Sequence, residues 1–290
     1  MLDWGGSGRP LVLLTGLGNT AHVFDEFAPK LTSSNHVYGI TRRGYGASSA
    51  PQSGYGADRL GDDVIAVLDA LKLEKPVLVG HSIGGEELSS VGSRHPDRVG
   101  GLIYLDAAYA YAFFNKGQPD LPPNQQSLPA MPRPPQPGEA DLKSFAAFHA
   151  WNTKVMGTPM PESELRQTHL SGPDGQVGAV RVSPSVPLAI MGGGQKYTEL
   201  RVPILAIFAS PHYLGPWIHE YPDVEKGFPT MDVATEAQAM AFEKGVPTAR
   251  VVRLPNAHHY LFFSNEADVL REMRAFLKDL DDPPNPFFQK

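Results

Sequence analysis

Gly80-His81-Ser82-Ile83-Gly84 places a serine between two glycines, in the spacing G-x-S-x-G. It directly follows the apolar run Pro76–Val79 and precedes a helical stretch, Gly85 to Arg94. A serine at a sharp strand-to-helix turn is exposed for attack, and bulkier residues two positions either side would collide there. The hydroxyl is a poor nucleophile until a base takes its proton, and neutral imidazole is the natural base near pH 7. Ten histidines are available, and two of them, His258 and His259, are adjacent in a loop after an apolar run. Such a base needs a carboxylate to hold its tautomer, and Asp106 stands at the end of Leu102-Ile103-Tyr104-Leu105. The chemistry these residue types suggest is acyl transfer through a serine nucleophile.

Elements must bring these residues together. Short apolar runs alternate with helical patterns, the mark of a parallel sheet built from βαβ units. Strands are expected at Leu11–Leu14, His36–Ile40, Val77–Gly80, Leu102–Leu105, Ile204–Ala209 and Arg250–Leu254. Their continuous apolar character suits a sheet covered on both faces. Leu60, Val64, Val67, Leu68 and Leu71 share one helical face, as do Val269, Leu270, Met273, Phe276, Leu277 and Leu280. Between Tyr109 and Tyr197 the rhythm breaks. Gln118 to Gly138 holds eight prolines in 21 residues, which excludes helix and central strand. Helical patterns resume over Asp141–Met156 and around Glu162–Leu170. The expected organisation is a core of residues 1–108 and 199–290 with a helical cap inserted at 109–198.

Three further segments strengthen this reading. Leu14-Thr15-Gly16-Leu17-Gly18 follows the first strand, Thr41-Arg42-Arg43-Gly44-Tyr45-Gly46-Ala47-Ser48 the second, and Pro255-Asn256-Ala257-His258-His259-Tyr260 the last. With the serine motif, these four ordered segments resemble the α/β-hydrolase family over most of the chain. The resemblance implies a mostly parallel, doubly wound sheet with a cap over its carboxyl edge. It implies Ser82 as nucleophile and backbone donors at Leu17 and Ile83 for the oxyanion. It implies His259 as base, because Tyr260 follows it and His258 fills the preceding small-residue position. Thr15 replaces the family's usual histidine and Thr41 its usual aspartate. His81 commonly precedes the serine and need not do chemistry.

The triad acid departs from the commonest arrangement. In most relatives it follows the strand matching Pro203–Ala209, where this chain has His212. Asp106, 24 residues after Ser82, occupies the alternative site used by other relatives. Asp223, Glu220 and Asp232 are the competing carboxylates. Tyr109, Phe148, Trp151 and His212 are the candidate substrate contacts, and an apolar, aromatic cap favours hydrophobic acyl or aromatic esters. A lactonase, an amidase or a carbon–carbon bond hydrolase would use the same triad, and a hydrolase-like receptor with slow turnover would keep the pocket for recognition. The serine argues against dehalogenases and epoxide hydrolases, which resemble this layout but use aspartate.

Composition bounds the partners. The 290 residues carry 25 basic and 31 acidic side chains, a net charge of −6, which argues against nucleic acid. No apolar run approaches the roughly 18 residues of a membrane span. There is no cysteine, so disulfides and thiolate chemistry are excluded, and the His258–His259 pair lacks zinc-ligand spacing. No metal or cofactor is expected, and the partner is a small-molecule ester; oligomeric state is not legible. Met1-Leu2-Asp3-Trp4 has no signal-peptide character. The expected protein is soluble, cytoplasmic as written and secreted or periplasmic if an upstream leader has been removed.

Overall fold

The computed structural model describes residues 1–115 and 134–281, and in the helix at 222–245 the side chains at 223, 224 and 227–231 also lie outside the described residues. Residues 118–133 of the proline-rich segment fall in the part outside. In chain order the edge strand β1 (Leu2–Gly5) is followed by β2 (Arg9–Leu14), β3 (Asn35–Ile40), β4 (Val77–His81) and β5 (Gly101–Leu105). A small hairpin, β6 (His169–Ser171) and β7 (Val177–Val180), precedes β8 (Ile204–Ala209) and β9 (Ala249–Leu254). The main sheet runs β1-β3-β2-β4-β5-β8-β9. β1 pairs antiparallel with β3 and every other neighbour is parallel.

Helices α1 (Ala57–Ala70) and α2 (Gly84–Arg94) make the crossovers on either side of β4. Between the adjacent strands β5 and β8 the chain inserts α3 (Glu139–Leu142), α4 (Phe145–Met156), α5 (Glu162–Thr168), the hairpin and α6 (Ser185–Gly192). Then α7 (Pro222–Gly245) joins β8 to β9, and α8 (Leu261–Ser264) and α9 (Glu266–Asp281) follow. None of the helices among the described residues is long and apolar enough to cross a membrane.

Alternation along each strand splits the core into two layers. Leu11, Leu13, Val79, Ile103 and Ile207 face Phe24, Phe27, Phe262 and the Val269–Met273–Phe276 stripe of α9. Val12, Leu14, Leu78, Tyr104 and Phe208 face Val64 and Leu68 of α1, Leu88 and Val91 of α2, and Phe242 of α7. Each fully buried aliphatic or aromatic side chain contributes roughly 1.5–3 kcal/mol. That doubly covered sheet is the rigid base from which the loops at its carboxyl edge project.

The insertion departs in detail from the single helix expected over Asp141–Met156. Ser144 breaks it: its hydroxyl accepts from Ala147 N at 3.1 Å and caps α4. The stretch expected to be helical to Leu170 ends at Thr168, where β6 begins.

Candidate active site

Strand β4 leaves the sheet at His81, and Ser82 makes the turn into α2 with φ +51°. This left-handed conformation costs a non-glycine residue energy that its surroundings must hold. Both flanking glycines are required by contact. A Cβ at Gly80 would lie 2.9 Å from Gly84 O and from Leu88, and one at Gly84 would lie 3.1 Å from Thr15 O. Ser82 N donates to Leu105 O at 3.3 Å, which ties the turn to the end of β5. Ser82 O accepts from Gly85 N at 2.9 Å. In a trans peptide the following N–H points the opposite way, so the Ile83 amide projects out of the helix's N-terminus.

Leu17 sits in the loop after β2, and a buried ion pair holds that loop from below. Arg42 and Glu87 pair side chain to side chain, with both nearly inaccessible to solvent. Arg42 also donates to Thr15 O at 2.7 Å and to Gly16 O at 3.2 Å. Fixing Gly16 O turns the Leu17 N–H away from the guanidinium. The Leu17 and Ile83 side chains meet in one apolar cluster with Val186 and Ile190 of α6. A second buried carboxylate grips the same loop: Glu164 of α5 accepts from Asn19 Nδ2 at 3.0 Å, Thr20 N at 2.9 Å and the Thr20 hydroxyl. The Tyr260 hydroxyl donates to Asn19 Oδ1 at 3.2 Å, joining the loop that carries His259.

Asp106 ends β5 with φ +48° and is fully buried. Its Oδ2 accepts from His259 Nδ1 at 2.6 Å, a distance typical of a charge-assisted bond. Its Oδ1 accepts from Ala209 N at 3.0 Å and from the Tyr109 hydroxyl. Burial alone would favour the neutral acid, but the His212 and His259 rings hold this carboxyl well below the usual carboxylate range. The ligand atoms of Asp106, His212 and His259 lie within 4.8 Å of one another, a grouping that could also hold a metal ion. Here both rings turn a nitrogen to Oδ2 at hydrogen-bond distance.

The two neighbouring histidines differ. His259 keeps 27% of its side chain exposed, whereas His258 is buried. His258 Nδ1 accepts from Tyr260 N at 3.1 Å, and burial together with the His259 and His212 rings pushes it down to about 4. His81 is buried too, and its Nε2 donates to His259 O at 3.0 Å. Burial and the nearby His259 hold His81 well below its ordinary value. The residue expected to be idle therefore anchors the backbone of the loop that carries His259.

The remaining site expectations land elsewhere. Tyr109 and His212 both contact Asp106, and neither presents an open surface. Phe148 is buried with Phe145, Leu165 and Val177 and stacks on Trp151 at 5.4 Å, so it belongs to the insertion's own core. Trp151 bridges that cluster to Val155, Leu214 and Trp217. Of the competing carboxylates, Glu220 is exposed and Asp232 bonds His212. The Asp223 side chain lies outside the described residues.

Two further residues near Ser82 have strongly shifted ionisation. Burial, Asp106 and Glu86 push the Tyr111 hydroxyl's ionisation well above the ordinary tyrosine value. Glu86, one helical turn past Ser82, is 2% exposed. Its Oε2 has no hydrogen-bond partner among the described residues. Burial pushes this carboxyl up to about 8, against the pull of Arg42 and with a further push from Glu87. Glu86 lies on the buried side of α2, which no motif in the sequence marks.

Comparison with known proteins gives four matches of different reach. Residues 9–169 match the family model described as alpha/beta hydrolase fold. A rhodomycin D methylesterase from Streptomyces peucetius is 27% identical over 272 residues, 87% of this chain and 85% of that protein. A 2-(acetamidomethylene)succinate hydrolase from Mesorhizobium japonicum is 28% identical over 101 residues, 35% of this chain. That match spans only 36% of the relative's own length. The crystal structure of E-2-(acetamidomethylene)succinate hydrolase superposes with a TM-score of 0.66 at 17% identity, covering 95% of this chain and 93% of that one.

Proposed function

We propose that this chain, which belongs to the α/β-hydrolase family, cleaves carboxylic esters with a hydrophobic acyl or aromatic part through an acyl-enzyme. The observation that carries the reading is the buried carboxylate–imidazole pair, Asp106–His259 at 2.6 Å. It lies on the same sheet edge where β4 turns through Ser82. Ser82 gives its proton to His259 as its oxygen bonds the ester carbonyl carbon. Asp106 stabilises the imidazolium that results. The negative charge moves to the carbonyl oxygen, which the outward amides of Leu17 and Ile83 receive; one such donor contributes on the order of 3 kcal/mol. His259 then protonates the departing alcohol, and water repeats the sequence to release the acid.

The insertion serves as the cap. Its helix α6 packs beside Leu17 and Ile83. Apolar lining near the nucleophile supports hydrophobic esters over charged ones. The methylesterase name of the relative matched along most of the chain points the same way.

The test combines a fluorophosphonate probe with a panel of p-nitrophenyl esters from short to long acyl chains. The expected result is a single label on Ser82, turnover that rises with acyl apolarity, and loss of both in Ser82→Ala. An unlabelled Ser82, or an alanine variant retaining most of the wild-type kcat, would overturn the reading.

A further inference from the structure

Behind the acid stands a second imidazole–carboxylate pair. Asp106 Oδ2 receives His259 Nδ1 at 2.6 Å and His212 Nε2 at 3.0 Å. The other oxygen is already engaged by Ala209 N and the Tyr109 hydroxyl. One carboxylate oxygen thus accepts from two rings, which requires a proton on His212 Nε2. The other ring nitrogen, Nδ1, lies 3.4 Å from Asp232 Oδ1, and the same oxygen accepts the His212 backbone N–H at 3.0 Å. The His212 side chain is only 3% exposed. Burial opposes a charge on this ring, but carboxylates at both nitrogens outweigh it and raise its ionisation above the ordinary value.

Among the described residues no lysine or arginine bonds His212; Arg253 of β9 pairs with Glu236 at 2.8 Å. Asp106 and Tyr109 face His212 from the end of β5, and Asp232 faces it from α7. His258 and His259 approach from the loop after β9. His258 is held neutral by burial. Glu236, one turn along α7 from Asp232, accepts from the Ser210 hydroxyl at 3.0 Å and pins the same loop. The order inward from α7 is the Asp232 carboxylate, the His212 ring, the Asp106 carboxylate and the His259 ring.

We propose that His212, backed by Asp232, is a positioning residue for the triad acid: it holds Asp106 Oδ2 in line with His259 and offsets part of that carboxylate's charge. The inference rests on Asp106 and His259 being the acid and base proposed above. Its consequence has a definite sign. An Asp106 relieved of the His212 charge attracts a proton onto His259 more strongly. His259 would then become a free base only at higher pH.

His212→Gln retains an N–H donor at the position and removes the charge. The measurement is the titration of His259 by NMR of ring-labelled histidine, assigned by substitution, in wild type, His212→Gln and Asp232→Asn. The expected result is a His259 midpoint higher by on the order of one pH unit in His212→Gln, with a smaller shift the same way in Asp232→Asn. The acid limb of kcat/KM should move with it. An unchanged or lowered midpoint in the folded variants overturns the proposal. Should His212→Gln fail to fold, Asp232→Asn decides alone, its side chain being 19% exposed. The titration needs no turnover. A protein inert to esters that shows the shift refutes the ester reading alone, and an active enzyme without the shift refutes only the role of His212.

Discussion

Replacing Glu86 by glutamine keeps the shape of a buried side chain and removes its ability to ionise. Burial pushes this carboxyl up to about 8 from an ordinary 4.5, Arg42 pulls it back and Glu87 adds to the push. In the folded protein it therefore keeps its proton over a window in which the unfolded chain has released it. The stabilisation is fully present below 4.5 and is lost as the pH rises towards 8. Taken over the whole window this amounts to about 5 kcal/mol. Urea unfolding of wild type and Glu86→Gln across pH 4.5 to 9 gives the difference curve, in which titrating groups remote from Glu86 cancel. The two should be within about 1 kcal/mol near pH 4.5. The variant should be the more stable by several kcal/mol at pH 9, with a Tm higher on the order of 10 °C. Parallel stabilities over the whole range would show that Arg42 keeps Glu86 ionised, and the reasoning would fail.

Asp106→Asn should leave the protein folded and lower kcat by roughly 10²–10⁴ with little change in KM, because the amide reverses the partner His259 needs; steady-state kinetics with a p-nitrophenyl ester reads it, and near-wild-type kcat would move the acid elsewhere. His259→Ala should cost orders of magnitude in kcat, whereas His258→Ala should retain turnover but lose about 1–3 kcal/mol of stability with the Tyr260 N–H contact. The pH course supplies a check on His258. Its ionisation is depressed to about 4, so the stability it confers is present above its ordinary 6.5 and is lost as the pH falls towards 4, by about 3 kcal/mol. Wild type should show this loss in urea unfolding and His258→Ala should not.

Much of this architecture is legible from local pattern. The parallel strands are continuous apolar runs, and doubly covered strands have no polar face to confuse the reading. Strand β1 escaped because Leu2-Asp3-Trp4-Gly5 is a short, half-exposed edge held by pairing to distant β3. Helix α7 escaped because Pro222, Gly227 and Pro229 punctuate its first turns. Pro184 and Pro187 conceal α6 in the same way. At the site, Ser82 and His259 announce themselves by neighbours in sequence. His212 reads from sequence as a missing carboxylate and a substrate contact, because its bond to Asp106 comes from 106 residues away. Glu86 carries no motif at all, because its burial is set by whatever packs over α2.

The grip of Glu164 on Asn19 and Thr20 bears on how such proteins diversify. Residues 145 positions apart share one set of hydrogen bonds, and the carboxylate is wholly buried. A recombination event that brought in a foreign segment between β5 and β8 without a carboxylate there would leave the Asn19 amide and the Thr20 N–H without their acceptor. It would also loosen the loop that carries Leu17. The heritable unit is therefore larger than the insertion: it includes two residues near the start of the chain. New specificities should arise more readily by substitutions within the existing segment than by wholesale exchange of it.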